Sequence, residues 1–158
     1  LIINVLRSFP FIILIVFIIP LTRAIVGTPI GEAAAIVPLT IAAAPFVARI
    51  IESSLKEVDS GVIEAAKSFG ASNTQIIFKV MLKEAVPSII SGLTLTIINI
   101  IGYSAMAGSV GAGGLGKVAI SYGYQRYQTD VMIVTVIILI IMVQGLQSLG
   151  NYLYKKLS

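Results

Sequence analysis

Four long runs of the sequence contain almost no charged side chains, and they limit the folds that the chain can adopt. They cover residues 9–27, 32–51, 87–107 and 131–154. A helix needs about 20 mostly apolar residues to cross a bilayer, so each run is long enough to do so. The sequence therefore predicts an all-α protein, a polytopic transmembrane helix bundle with about four spanning helices.

The composition leads to the same class of protein. Only 11% of the 158 residues are charged, whereas 57% are hydrophobic. A soluble domain carries about 25% charged residues, so much of this surface must face the lipid bilayer. No polar linker divides the chain, and residues 1–158 are predicted to form a single membrane domain. With no His, no Cys and scattered carboxylates, we expect no catalytic site, no metal and no cofactor.

Lysine and arginine are expected to collect on one side of a four-helix arrangement, as they do on the cytoplasmic side of membrane proteins. That side would hold Arg7, Arg49, Lys56, Lys67, Lys79, Lys83, Lys155 and Lys156. The other side would hold Arg23, Lys117 and Arg126. The loop at residues 59–85 and the C-terminus are therefore predicted to be cytoplasmic. Because topology accounts for the net charge of +4, no nucleic acid is predicted as a partner.

Three prolines lie in or beside the predicted spans. Pro38 and Pro45 each remove a hydrogen bond from the second helix and are expected to bend it. Pro87 fits the first turn of the third helix, where a missing N–H loses no partner.

A glycine-rich stretch at residues 108–120 resembles two nucleotide-binding patterns. Gly111, Gly113 and Gly116 form G-x-G-x-x-G, but a dinucleotide fold needs a strand before them, where this chain has a span-length apolar run. A P-loop needs Ser or Thr after its lysine, and Val118 stands there. We predict a tight loop or re-entrant turn on the outer side instead. Tyrosines typical of an interfacial aromatic belt flank it: Tyr103, Tyr122, Tyr124 and Tyr127.

The predicted cytoplasmic loop, residues 59–85, is polar and rich in helix formers. We expect a first short helix over residues 61–69, with Asp59 or Ser60 as N-cap and Gly70 ending it. A second helix should begin at Ser72, which has capping-box spacing with Gln75. Such a helix pair either packs on its own membrane domain or docks a partner, and the pattern alone leaves both open.

The loop contains EAAKSFG, which resembles the EAA motif of binding-protein-dependent ABC importer permeases. The matching residues are Glu64, Ala65, Ala66, Lys67, Ser68, Phe69 and Gly70. After nine intervening residues, the family has Ile-x-Leu-Pro, and this chain has Val80, Met81, Leu82 and Lys83. Lysine in place of proline is a departure from the family pattern, although Pro87 four residues later also suits these permeases.

This resemblance implies that the loop forms coupling helices seated in a groove of a separate ATPase subunit. Small Ala65 and Ala66 would permit close approach, and Gly70 would permit the turn. Glu64 would suit the helix dipole if it lay near a helix N-terminus. The family also implies two ATPase subunits, a second copy of the permease, and an extracytoplasmic substrate-binding protein that delivers solute for alternating-access transport. ATP hydrolysis would then belong to a partner, and this chain would be a transport subunit rather than an enzyme.

A second resemblance narrows the substrate. The stretches IVPLTIAAAPFVAR, residues 36–49, and GYSAMAGSVGAGGLG, residues 102–116, are similar to the methionine branch of these permeases. That branch has a further helix upstream and lies in the bacterial cytoplasmic membrane. It implies import of methionine, in its L form and also its D form. The alternatives are a permease of this class for another small solute, such as glycine betaine, or a stand-alone membrane channel.

The third helix is the best candidate for the translocation pathway, because polar and soft side chains interrupt its apolar sequence. We expect the pathway or gate to include Asn99, Tyr103, Ser104, Met106 and Ser109. The alternative is that the polar groups make interhelical hydrogen bonds and that the methionine fills a packing gap.

Overall fold

The computed structural model describes residues 2–109 and 111–157, and every regular element in them is helical. The α-helices are α1 (Ile2–Ser8), α2 (Phe11–Phe17), α3 (Ile19–Val26), α4 (Glu32–Lys56), α5 (Ser60–Ser68), α6 (Asn73–Gln75), α7 (Leu82–Ser109), α8 (Gly114–Val118) and α9 (Thr129–Leu157). Two π-helical segments, Ile76–Met81 and Ala119–Tyr124, follow α6 and α8.

Three helices of the described residues are long and apolar enough to cross a membrane. They are Glu32–Lys56, Asn73–Gly108 and Thr129–Leu157. The second is a continuous helical run in which α6 and the first π-helical segment lead directly into α7. The chain is therefore a helical membrane protein with several spans, as the apolar runs predict.

The first apolar run does not form the single helix predicted over residues 9–27. It folds as α2 and α3, which are separated at Ile18 with φ −95° and ψ 11°. Pro20 stands in the first turn of α3. Proline has no N–H, so it cannot donate to the carbonyl four residues earlier, and its ring crowds that carbonyl. The helix is therefore interrupted just before the proline.

The third span begins earlier than predicted. Pro87 was expected in its first turn, but this proline lies inside α7. The helical run starts at Asn73, where the side chain of Ser72 caps it. The capping box fixes the start because it satisfies backbone donors that the first turn leaves unpaired.

The buried core of the bundle is small. Phe11, Leu14, Ile15 and Ile18 of the first apolar run are each at most 8% exposed, and they cluster with alanines of α4 and α7. Elsewhere, large apolar side chains remain on the surface, and α9 in particular presents Ile137 and other branched residues outward. A surface of this kind suits lipid rather than water, because lipid tails solvate apolar side chains.

A short hydrogen-bonded chain links α4 to α7. The hydroxyl of Ser54, which is buried, donates to the hydroxyl oxygen of Ser88 at 3.0 Å. The hydroxyl of Ser88 in turn donates to Oε2 of Glu57 at 3.1 Å. Ser88 of α7 therefore links to two residues at the C-terminal end of α4, Ser54 and Glu57.

We predict that Ser88→Ala destabilises the α4–α7 pair modestly. Interhelical hydrogen bonds in membranes are worth about 0.6 kcal/mol on average, and the buried Ser54 would lose its acceptor. The unfolding midpoint should fall by roughly 1–4 °C, measured by thermal denaturation of the purified protein in detergent. Ser91→Ala is the matched control, because Ser91 lies three residues further along α7 but makes no hydrogen bond with the described residues. An equal shift for both variants would contradict the assignment.

Candidate functional site

The first short helix predicted in the loop is present as α5, and both of its ends are capped. Oδ1 of Asp59 accepts a hydrogen bond from the backbone N–H of Gly61 at 2.6 Å, which makes Asp59 the N-cap. At the other end, Gly70 follows the C-cap residue Phe69 and has φ +79°. The prediction of a short helix ended by this glycine is confirmed.

The end of α5 is a Schellman motif, and this motif explains part of the EAA spacing. The N–H of Ala71 donates to the carbonyl of Ala66 at 3.1 Å, and the N–H of Gly70 donates to that of Lys67 at 2.9 Å. In this motif the residue with positive φ stands four positions after the carbonyl that closes the outer bond. The glycine of EAAKSFG is thus required by the backbone.

The helix α5 lies at the surface of the chain. None of its residues is buried. Phe69 is 92% exposed, and Glu64 and Lys67 are exposed beside it. A capped helix that presents an aromatic ring to solvent is a surface suited to docking another protein, because large rings supply much of the contact energy at interfaces.

Glu64 does not occupy the position expected for a dipole interaction. It is the fifth residue of α5, and the first turn of this helix contains no acidic residue. The N-terminal negative charge comes from the capping Asp59 instead. The backbone carbonyl of Glu64 accepts a hydrogen bond from the hydroxyl of Ser68 at 3.0 Å.

The second half of the loop forms the predicted capping box. The N–H of Gln75 donates to Oγ of Ser72 at 3.3 Å, and the N–H of Ser72 donates to Oε1 of Gln75 at 2.9 Å. The helix does not stay short, because it continues through the first π-helical segment into α7. α5 contacts that segment, whose first residue, Ile76, is 4% exposed. One face of the pair therefore packs on its own chain, and the face with Phe69 remains free.

A cavity of about 730 Å³ lies next to this loop, at the end of the bundle where α4 finishes. Arg7, Arg49, Asp59 and Tyr154 all line it. The guanidinium of Arg7 lies 4.9 Å from the ring centre of Phe46. The start of the chain, the end of α4 and the end of α9 thus meet at the loop end of the bundle.

The five predicted pathway residues are not all brought together. Asn99, Tyr103 and Met106 share one face of α7, since their spacing is four and three residues. Asn99 and Met106 are exposed, whereas Tyr103 is half-buried and its ring stacks on that of Phe11 with centres 4.7 Å apart. Ser104 points to another face and donates to the carbonyl of Ile101 at 2.8 Å. The side chain of Ser109 lies outside the described residues.

The glycine-rich stretch forms a turn and a short helix rather than a nucleotide site. It follows α7, not a strand, and Gly111, Gly113 and Gly114 have positive φ. Gly116 in α8 is buried so close to Ala105 of α7 that a Cβ would overlap its backbone. The glycines therefore allow the chain to reverse and α8 to press against α7, as a predicted tight turn requires.

Three features of the site have little sequence signal. The two π-helical segments and the backbone of Tyr127, whose φ is +56°, follow no residue pattern in this sequence. The exposure of Phe69 depends on how the turn is oriented.

Over residues 2–109 and 111–157, no group of three or more His, Cys, Asp or Glu side chains is placed to hold a metal ion.

Known proteins resemble this chain over nearly its whole length. The Vibrio cholerae protein described as probable D-methionine transport system permease protein MetI is 56% identical over 155 residues, which cover 98% of this chain and 69% of the relative. The Bacillus subtilis protein described as methionine import system permease protein MetP is 47% identical over 150 residues, covering 95% and 68%.

Solved structures have the same fold. A chain from inward-facing conformations of the MetNI methionine ABC transporter superposes with a TM-score of 0.95 at 49% identity, covering 99% of this chain and 73% of that one. A chain from an amino acid ABC transporter gives a TM-score of 0.82 at 24% identity, covering 98% of this chain and 72% of that one. At this identity, the similarity shows the fold alone. The family model described as binding-protein-dependent transport system inner membrane component matches residues 1–158. The chain, with its spanning helices and its exposed, doubly capped loop, therefore belongs to the family of binding-protein-dependent transport system inner membrane components.

Proposed function

We propose that this chain is the membrane-spanning permease subunit of an ATP-driven importer that carries methionine into the cell. The observation that carries the proposal is the loop at residues 59–85, where a helix without buried residues presents the exposed ring of Phe69. A bundle with no mid-membrane carboxylate pair has no evident proton relay of its own. Energy from a partner would have to enter at such a loop. The similarity to methionine permeases over 95–98% of the chain supports the substrate.

In this proposal, α5 is the coupling helix, and residues 64–70 form the joint with the ATPase. Phe69 would seat in an apolar recess of that subunit, with Glu64 and Lys67 at the rim of the contact. Ala66, Ser68 and Gly70 would set the shape of the helix end through the bonds described above. Two ATPase subunits would act on two copies of this chain. Their closure on ATP would move the coupling helices and open the bundle to a substrate-binding protein outside.

We also propose that the first apolar run crosses the membrane in spite of its break, which gives four crossings. Arg7 lies beside Phe46 at the loop end, whereas Thr22 lines a small cavity with Ala34 and Ala112 at the opposite end. The segment between them therefore extends from one end of the bundle to the other. Four crossings would place the loop and the C-terminus on the same side, and the Lys and Arg residues of that side support the cytoplasm. The family description supports a location in the bacterial cytoplasmic membrane.

For the translocation pathway, we propose the face of α7 that carries Asn99 and Met106. Both side chains are exposed in this subunit, and the face would meet the second copy of the permease. Tyr103, on the same face, is steadied by its stacking on Phe11. Ser104 and Ser109 would belong to the outer gate, where α7 ends.

The test is uptake of radiolabelled L-methionine into proteoliposomes that contain the permease, its ATPase and its binding protein, with and without ATP. Uptake should require ATP and should be competed by D-methionine but not by glycine betaine. Transport of another solute with none of methionine would retain the class of transporter and change the substrate. Solute flux through the permease alone, without ATP, would instead favour a channel.

We predict that Phe69→Ala lowers ATP-dependent uptake by roughly tenfold or more, as expected when a central aromatic contact is removed from an interface. The exposed ring makes no contact that the fold needs, so expression and unfolding temperature should stay unchanged. Phe17→Ala is the matched control, because Phe17 is 69% exposed but lies in α2, away from the loop. Normal uptake by Phe69→Ala would contradict the proposed joint.

A further inference from the structure

The turn at residues 122–127, which we call the tyrosine turn, begins in the last three residues of the second π-helical segment and leads towards α9, which starts at Thr129. Backbone hydrogen bonds close it: the N–H of Gln125 donates to the carbonyl of Ile120 at 2.9 Å, and the N–H of Gln128 donates to that of Tyr122 at 3.2 Å. The turn is therefore a defined structure rather than a loose connection. It lies at the end of α7 opposite the coupling loop, which is the outer side in the proposed topology.

The tyrosine turn is fixed to the spanning helix that follows it. Gly123 is buried against Met132 of α9, and a Cβ on this glycine would lie 3.0–3.2 Å from three atoms of that methionine. An added Cβ would make a tight contact with that methionine, and glycine leaves room for the close approach. Side chains on the turn are thus held in place relative to the bundle, as a preorganised binding surface requires.

Two tyrosines of the turn extend into solvent. Tyr124 is 70% exposed and Tyr127 is 88% exposed. Among the described residues, Tyr127 is the only non-glycine residue with positive φ, and neither hydroxyl has a hydrogen-bond partner there. A bulky residue in this backbone region is strained, and such strain tends to occur where a side chain has a function. The unusual backbone keeps the ring of Tyr127 away from the bundle.

An arginine lies between these two tyrosines in the sequence. The guanidinium of Arg126 lies 4.5 Å from the ring centre of Tyr122, which orients it while its N–H groups remain able to bind a carboxylate. The ion pairs within residues 2–109 and 111–157 involve only Glu52 with Arg49 and Lys56. Tyrosine and arginine, together with tryptophan, are the residue types enriched among energetically important interface contacts.

The neighbouring sequence favours a protein over lipid as the partner. Tyrosines of a membrane belt, the role that the sequence suggests for Tyr124 and Tyr127, lie beside apolar residues, with only the hydroxyl in the polar zone. Here Tyr127 is surrounded by QR before it and QTD after it, so its ring projects from a hydrophilic segment. The family depends on a soluble binding protein, which must meet the permease on the outer side.

We propose that the tyrosine turn is a docking site for that binding protein. Tyr124 and Tyr127 would enter shallow recesses of its surface, and Arg126 would pair with an acidic side chain at the edge. The partner surface is therefore expected to be acidic around apolar depressions. This inference rests on the proposed function, since it assumes an importer that receives its solute from a binding protein.

The experiment measures the affinity of purified, methionine-loaded binding protein for the permease–ATPase complex in nanodiscs. Tyr127→Asn is the informative variant, because asparagine tolerates positive φ and should leave the turn folded or steadier. We expect the Kd to rise roughly 10- to 30-fold, the effect of losing an interface hot spot, with the unfolding temperature unchanged or higher and basal ATP hydrolysis unaltered. Arg126→Glu should weaken binding similarly, and added salt should narrow its difference from wild type.

Tyr152→Asn is the matched control, since Tyr152 is 62% exposed but lies near the end of α9 at the loop end. It should bind the partner normally. Wild-type affinity in Tyr127→Asn and Arg126→Glu would overturn the inference. The inference would also fail if Tyr127→Asn bound the partner normally and differed from wild type only in how its stability depends on lipid composition. If the wild-type complex itself neither binds the protein nor imports solute with ATP, the proposed function fails as well, so the two failures are distinguishable.

Discussion

Gly116→Ala should lower the unfolding midpoint of the permease by roughly 5–10 °C. In α8 this glycine is buried, and an added Cβ would overlap the backbone of Ala105 in α7. Overpacking costs about 1–3 kcal/mol, and the upper end is expected here because a backbone cannot move aside as a flexible side chain can. Relief would require α8 to separate from α7, which would disturb the segment that precedes α9.

The measurement is thermal denaturation in detergent, followed by size-exclusion chromatography to detect loss of the folded protein. Gly145→Ala is the matched control, because Gly145 lies inside α9 with nothing within 4 Å of its added Cβ. Alanine is preferred over glycine within a helix by about 0.5–1 kcal/mol, so this variant should be neutral or slightly more stable. If the two variants shift the midpoint in the same direction and by similar amounts, the close contact does not hold α8 in place.

The sequence predicted the long helices because hydropathy and length need no tertiary information. Both α4 and α9 coincide with apolar runs to within a few residues of their ends. The caps of α5 and of the helical run from Asn73 were also predictable, since capping residues interact with the backbone only a few positions away. These are local effects that a single sequence contains in full.

Predictions failed where two local signals competed. Hydropathy favoured one helix over residues 9–27, but Pro20 interrupts it. At the third span, Pro87 is a valid helix start, yet the capping box at Ser72 starts the helix earlier and the proline is accommodated inside α7. Neither outcome can be decided without knowing which hydrogen bonds the rest of the bundle supplies.

The candidate site, like the fold, was predictable from the sequence only in part. The helix and turn of the loop at residues 59–85 were predictable by position, because Gly70 and the helix before it follow a compact backbone motif. Its exposed ring was not, because Phe69 could equally have packed on the bundle. The pathway residues are predicted from the polar and soft side chains of α7, and the structure places Ser104 on a different face of α7 from Asn99. Orientation around a helix depends on neighbouring helices, which polarity does not report.

Gly70→Val should abolish most ATP-dependent uptake while leaving the permease folded. The glycine has φ +79°, a region that costs other L-residues about 1–2 kcal/mol and that a β-branched residue strongly disfavours. An added Cβ would meet nothing within 4 Å, so the cost falls on the backbone of the turn alone. The variant is therefore expected to unwind the end of α5 and to misplace Phe69.

Gly70→Asn separates the backbone from the added side chain. Both variants place new atoms at the same exposed position, but asparagine tolerates positive φ far better than valine does. We expect uptake of radiolabelled methionine to fall more than tenfold for Gly70→Val and less than threefold for Gly70→Asn, as the roughly tenfold effect of about 1.4 kcal/mol implies. ATP hydrolysis should continue in both, because the ATPase retains its own site. Equal losses of uptake in the two variants would mean that uptake requires the absence of any side chain at position 70, whatever the backbone conformation. Normal uptake by Gly70→Val would mean that the Schellman turn does not set the coupling geometry.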